Sequence, residues 1–129
     1  MIKKVLHLAD IHARLSQRHE EYRHVFKNFY KQAREQNPDI IVIAGDIFHQ
    51  KIHLSPEVIK LIGEFFNKCA KIAPIHVIIG NHDTIIAQKG RIDSVSAVLG
   101  LARIDNVYLY TKSDLYEVDN IVFGVFDVN

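Results

Sequence analysis

Residues 39–46 read Asp39-Ile40-Ile41-Val42-Ile43-Ala44-Gly45-Asp46, an unbroken apolar run that ends in a glycine and a carboxylate. Such a run, without polar alternation, predicts a strand buried on both faces, the habit of a parallel sheet. Upstream, residues 19–36 set Tyr22, Val25, Phe26, Phe29, Tyr30 and Ala33 at helical spacing on a charged background, and Asn37-Pro38 closes the pattern. Downstream, Ser55-Pro56-Glu57 supplies an N-cap, a proline at the first helical position and an acid in the first turn. The helix that starts there carries Val58, Leu61, Ile62, Phe65, Phe66 and Cys69 inward as far as Ala73-Pro74. Beyond both helices lie two more apolar runs, Ile2 to Ala9 and Ile75 to Ile79, each read as a buried strand. Strand, helix, strand, helix, strand with crossovers of this length predicts an α/β domain, a parallel sheet covered by helices and wound right-handed.

The pattern then changes. Residues 94–102 suggest a short helix, and Asn106 to Thr111, Leu115 to Val118 and Ile121 to Val128 read as strands, the last two joined by a tight Asp119-Asn120 turn. A strand-rich second half predicts a second sheet or an antiparallel edge. No internal repeat, low-complexity tract or linker interrupts the chain. It stops at Val125-Phe126-Asp127-Val128-Asn129 with no capping element behind it, so a truncated domain is expected.

Composition bounds the partners. A chain of 129 residues with 48% hydrophobic and 24% charged residues fits one folded domain. The net charge of +1 makes no global case for a polyanion, which would have to be bound by a local patch or through metal ions. The single cysteine, Cys69, excludes an internal disulfide, fits a reducing compartment and reads as a core residue. Neither a leader-like segment nor a membrane-length apolar stretch is present, and a cytoplasmic location is expected.

Each of the first three strands is followed by a short string of ligand-bearing residues: Asp10-Ile11-His12, Gly45-Asp46-Ile47-Phe48-His49 and Gly80-Asn81-His82-Asp83. In an open parallel sheet, ligands collect beyond the carboxyl ends of the strands. On extended backbone, Asp10 and His12 would project to one side and clasp one cation, with Ile11 pointing away. Asp46 is suited to bridge two ions, and Gly45 would let the backbone come close. Asn81 offers a neutral carbonyl oxygen, and His82 can give a proton to a leaving oxygen. Singly, each string has a plainer explanation, an Asp-x-His by chance, a turn, a helix cap. Together, at three strand ends one crossover apart, they predict a two-metal centre, because core packing needs no such residues there.

Other residues read as structural. His7 and His76 lie inside strands and are expected to be hydrogen-bonded imidazoles, His19 and His24 to be solvated, and His53 to face either the site or solvent. Arg14, Arg18, Arg23 and Lys27 are interrupted by Glu20 and Glu21, which suits an ordinary charged helix face. Arg14 and Arg18 nevertheless sit in the loop beside Asp10, where a phosphate backbone could pass.

The three strings resemble the first three motifs of the calcineurin-like metallophosphoesterase superfamily, whose fold is a helix-flanked β sandwich. Within it, Leu6-His7-Leu8-Ala9-Asp10-Ile11-His12, the second motif through His49, and Asn106-Val107-Tyr108-Leu109-Tyr110 resemble SbcD-type nuclease subunits of repair and recombination exonucleases. Protein phosphatases typically carry Asp-Arg-Gly after the second motif and Glu after the third; this chain has His49-Gln50-Lys51 and Asp83. The resemblance implies that Asp10, His12 and Asp46 hold one metal and Asp46 and Asn81 the second. It makes His82 the catalytic imidazole and puts His49 near the scissile phosphate, with Mn(II) as the usual metal. It implies DNA as substrate and an SMC-like, SbcC-like ATPase subunit as partner, and it allows a homodimer.

The chain departs from the pattern in two places. Ala13-Arg14 follow His12 where an apolar residue and often glycine stand, and no histidine occurs after His82, where the superfamily has Gly-His and Gly-x-His motifs. Residues 1–129 are therefore expected to be the N-terminal part of one nuclease domain, weak in metal binding and turnover by itself. Two alternatives share the motifs: a phosphoesterase acting on small nucleotides or phosphoproteins, and a non-catalytic scaffold of the same fold.

Overall fold

The computed structural model describes residues 1–13, 18–47, 55–78 and 104–126. Its elements run β1 (Val5–Leu8), α1 (His19–Gln36), β2 (Ile40–Ala44), α2 (Pro56–Ala70), β3 (Ile75–Ile78), β4 (Val107–Tyr110), β5 (Asp114–Val118) and β6 (Ile121–Val125). The first four strands form a sheet in the order β1-β2-β3-β4, all parallel, with Val5 opposite Ile40, Ile41 opposite Ile75 and Ile75 opposite Val107. β5 and β6 pair antiparallel as a separate hairpin. The α/β architecture expected from the crossovers is thus the one found, and the strand-rich second half divides, β4 joining the parallel sheet and β5–β6 making the second one. The short helix expected at residues 94–102 lies outside the described residues.

Both helix boundaries follow from the capping residues. α1 ends where Asn37 adopts a left-handed conformation (φ 48°) and its N–H reaches the carbonyls of Ala33 and Arg34, a C-terminal stop that asparagine tolerates well. α2 starts at Ser55, whose hydroxyl accepts a hydrogen bond from the Val58 N–H at 3.1 Å, with Pro56 in the first turn. The helices cover one face of the sheet. Ile41, Ile43, Ile75 and Val77 from the strands meet Phe26, Tyr30, Phe65 and Phe66 in one buried cluster. Phe65 is its hub, with ring centroids 4.4 Å from Phe26 and 5.9 Å from Phe66.

The other face carries the hairpin. His76 is buried, bonds Tyr110 Oη through Nδ1 at 2.7 Å and stacks on Tyr108, while Phe123 of β6 closes over it. Burial pushes its pKa down, so the imidazole sits neutral in an aromatic layer. The β5–β6 turn is tied to the chain's first residues: the Asn120 side chain accepts from Ile2 N–H at 2.6 Å and donates to the Ile2 carbonyl at 3.1 Å.

Three sequence expectations are corrected. β1 is not buried on both faces; it lies at one end of the sheet, and Val5 and His7 are exposed on the face that β3 and β4 give to the hairpin. His7 is accordingly a surface residue and not a buried structural imidazole. Val25 obeys the helical spacing yet is 60% exposed, because it lies at the margin of the apolar stripe, beyond the reach of the sheet.

Candidate metal centre

The carboxyl ends of β1 and β2 lie side by side because the two strands are parallel neighbours in register. The loops that follow stay paired beyond the sheet: Asp10 N–H donates to the Gly45 carbonyl at 3.3 Å, His12 N–H to Asp46 O at 2.9 Å and Ala13 N–H to Ile47 O at 2.7 Å. This extended ladder places the first string against the second. Ala13 and Ile47 are buried at its far end and anchor both loops in the core.

The backbone within the ladder differs from the extended form expected. Asp10 (φ 58°), His12 (φ 51°) and Asp46 (φ 55°) are all left-handed, as is Gly45 (φ 80°). For residues other than glycine this costs roughly 1–2 kcal/mol each, and non-glycine strain of this kind concentrates at functional sites. Alternation of strand and left-handed residues, rather than a straight strand, brings the two side chains of Asp10-Ile11-His12 to one side. Gly45 therefore serves the turn itself, supplying a positive φ without strain next to Asp46.

The result is a cluster. Ligating atoms of Asp10, His12 and Asp46 all lie within 4.8 Å of one another. His12 Nε2 stands 3.6 Å from Asp10 Oδ1 and 4.0 Å from Asp46 Oδ2. Donors around one ion at about 2.0–2.2 Å span at most about 4.4 Å, so small movements would close this set on a cation. Two carboxylates and an imidazole suit Mn, Fe or Zn divalent ions. Asp46 is the more sheltered carboxylate, its side chain 24% exposed against 71% for Asp10.

Sequence reasoning missed one contributor, Tyr22. Its position on the apolar stripe of α1 marks it as a packing residue, and its ring does approach Phe26 at 5.9 Å. Its hydroxyl, however, donates to the His12 carbonyl at 2.6 Å and lies 3.2 Å from the Ile11 carbonyl, holding the loop from behind. A tyrosine one turn into the helix that follows a ligand string is the only signal the sequence offers. Arg18, at the N-cap of α1, lines a cleft of about 670 Å³ together with Asp10, His12 and Tyr22. The other predicted site residues, Arg14, His49, Asn81 and His82, lie outside the described residues.

An α/β sheet that gathers two carboxylates and an imidazole beyond its strand ends presents a donor set able to hold a divalent cation. The family model of calcineurin-like phosphoesterases matches residues 3–128, and the chain belongs to that family, whose members are metal-binding hydrolases. An uncharacterized protein of Acanthamoeba polyphaga mimivirus is 41% identical over 131 residues, which cover 98% of this chain and 10% of the relative. The DNA double-strand break repair protein Mre11 of Archaeoglobus fulgidus is 34% identical over 136 residues, covering 95% of this chain and 31% of that protein. The chain thus spans from a tenth to under a third of the length of these relatives. Among the described residues, no helix is long and apolar enough to cross a membrane.

Proposed function

We propose that the chain is the N-terminal part of a metal-dependent phosphodiesterase domain that cleaves DNA, the nuclease subunit of an SbcCD-like repair or recombination complex with an SMC-like ATPase partner. The observation that carries the hydrolytic reading is the Asp10, His12, Asp46 cluster, drawn together by paired loops at two neighbouring strand ends. Similarity to a relative named for DNA double-strand break repair directs that chemistry to DNA.

In this reading Asp10, His12 and Asp46 hold one divalent ion, Asp46 and Asn81 the other, and Mn(II) is the preferred metal. Bound ions supply Lewis-acid neutralisation of charge on the phosphodiester. Asp46, sheltered and left-handed, presents its carboxylate between the loops. His82 gives a proton to the departing oxygen, His49 orients the phosphate, and Arg14 and Arg18 line the path of the strand. Arg18 is already exposed in the cleft that Asp10 and His12 share.

The test is a substrate profile of the full-length protein with Mn(II), after stripping with chelator. Degradation of linear DNA, in clear preference to bis-p-nitrophenyl phosphate, cyclic nucleotides and phosphopeptides, is expected. Turnover of the small diesters or phosphopeptides alone would make the protein a phosphoesterase of another substrate class. Metal binding with no turnover of any of them would make it a scaffold.

A further inference from the structure

A second concave surface lies away from the metal cluster, in the groove between α1 and α2. It has a volume of about 710 Å³ and gathers Arg23, Lys27 and Arg34 from one helix and Lys68 and Lys71 from the end of the other, with Glu64 as the one carboxylate among its lining residues. Five cations against one acid in a chain of net charge +1 is a strong local concentration. Favourable placement at a helix C-terminus accounts for Arg34 and Lys68, but not for Lys27 in mid-helix or for all five facing one groove. Arg23 is engaged, 3.6 Å from Glu20 and 3.7 Å from Glu64. Among the described residues, no ion pair engages Lys27, Arg34 or Lys71.

Tyr30 gives a second, independent sign. It lines the groove, is 6% exposed and has Lys68 Nζ 5.4 Å above its ring. Among the described residues its hydroxyl has no hydrogen-bond partner, so its donor is available to whatever occupies the groove. Burial, with the Glu64 carboxylate adding to it, pushes its pKa up, so it stays a donor, facing a groove where cations outnumber that one carboxylate.

We infer that the α1–α2 groove binds the phosphodiester backbone of a single nucleic-acid strand. The cations are strung along the helices rather than converging on a point: Arg23 to Arg34 spans about 16 Å at 1.5 Å per residue, room for about five nucleotides at 3.4 Å each. A peptide helix in a groove is held by apolar anchors, and this floor offers few, since Phe26 and Leu61 are 7% and 1% exposed. A nucleic-acid backbone needs only cations and donors. Tyr30, buried, stacks on no base, so binding is independent of sequence. The inference rests on the nucleic-acid reading above for the identity of the strand, but it does not depend on hydrolysis.

The test is fluorescence anisotropy of the full-length protein with an oligodeoxythymidine strand in chelator, across a salt series. Three exposed residues are neutralised together, Lys27→Gln, Arg34→Gln and Lys71→Gln, and Tyr30→Phe is made separately. At about 0.7 per phosphate for single strands, the triple variant lowers the salt slope by about 2 and weakens binding by roughly tenfold or more. Tyr30→Phe weakens binding while its melting temperature holds or rises, a combination that a purely structural tyrosine would not give. Unchanged binding and slope in the triple variant overturn the groove, whatever the wild type does to DNA with Mn(II). Equal displacement of the strand by polyglutamate overturns nucleic acid as occupant in favour of an acidic protein. If the triple variant loses binding while the wild type cleaves only small diesters, the groove stands and the nuclease reading falls.

Discussion

Replacing Tyr22 by phenylalanine removes one oxygen and leaves the ring that packs on Phe26 in place. That oxygen donates to the carbonyl of His12, at 2.6 Å, from a partly buried position. A neutral bond of this kind contributes about 1 kcal/mol net. The bond acts on a loop that already carries left-handed strain at Asp10 and His12, so its loss falls on the order of the ligand set rather than on the core. About 1 kcal/mol is roughly a fivefold change in an equilibrium constant. Calorimetric titration of the full-length, chelator-stripped protein with Mn(II) should therefore show about fivefold weaker binding. Thermal denaturation without metal should show a loss of no more than about 1 kcal/mol. Unchanged Mn(II) affinity would refute the positioning role. So would a drop in melting temperature with affinity intact, which would assign the hydroxyl to the fold and not to the site.

The remaining predictions concern ligands, pH and the core. Asp46→Ala should abolish Mn(II) binding in the full-length protein, whereas His82→Ser should keep the metal and lose turnover by roughly 10²–10⁴-fold; equal loss of metal in both would make His82 a ligand. His76, whose pKa burial lowers from 6.5, binds a proton more readily unfolded than folded. Its contribution is therefore complete above pH 6.5 and declines as the pH falls below that value. His76→Phe should flatten the acid side of the stability profile, as measured by melting temperature between pH 5 and 7, and an unaltered profile would place the acid sensitivity elsewhere. Phe65→Ala should cost about 3–5 kcal/mol in denaturant titration, since Phe65 is 1% exposed at the centre of the aromatic cluster; a cost below about 1 kcal/mol would mean that the cluster closes over the gap.

What the sequence determined by itself was local chemistry and order. The β-branched run 40–43, the Ser55-Pro56 start and the Asn37 stop specify elements through backbone propensity and capping, and α1 occupies the residues that its periodicity marks. Crossover length dictates parallel pairing, and parallel pairing dictates that Asp10 and Asp46 emerge at the same end of the sheet. Their meeting was thus legible in the sequence, as was the hydrogen-bonded, structural role of His76. What only the tertiary structure decided depends on atoms far apart in the chain. The left-handed turns at Asp10 and His12 are imposed by the ladder to Gly45 and Asp46, so extended geometry could not be corrected from the string alone. Tyr22 is a core residue by pattern and a loop clamp by contact, because periodicity records which way a side chain faces and not where its hydroxyl ends. Val25 and His7 are exposed because burial depends on what covers a surface, and β1 lies at the end of the sheet. The basic groove shows this most plainly: Arg23 and Lys27 read as an ordinary charged helix face, and only the packing of α1 beside α2 sets them across from Lys68 and Lys71.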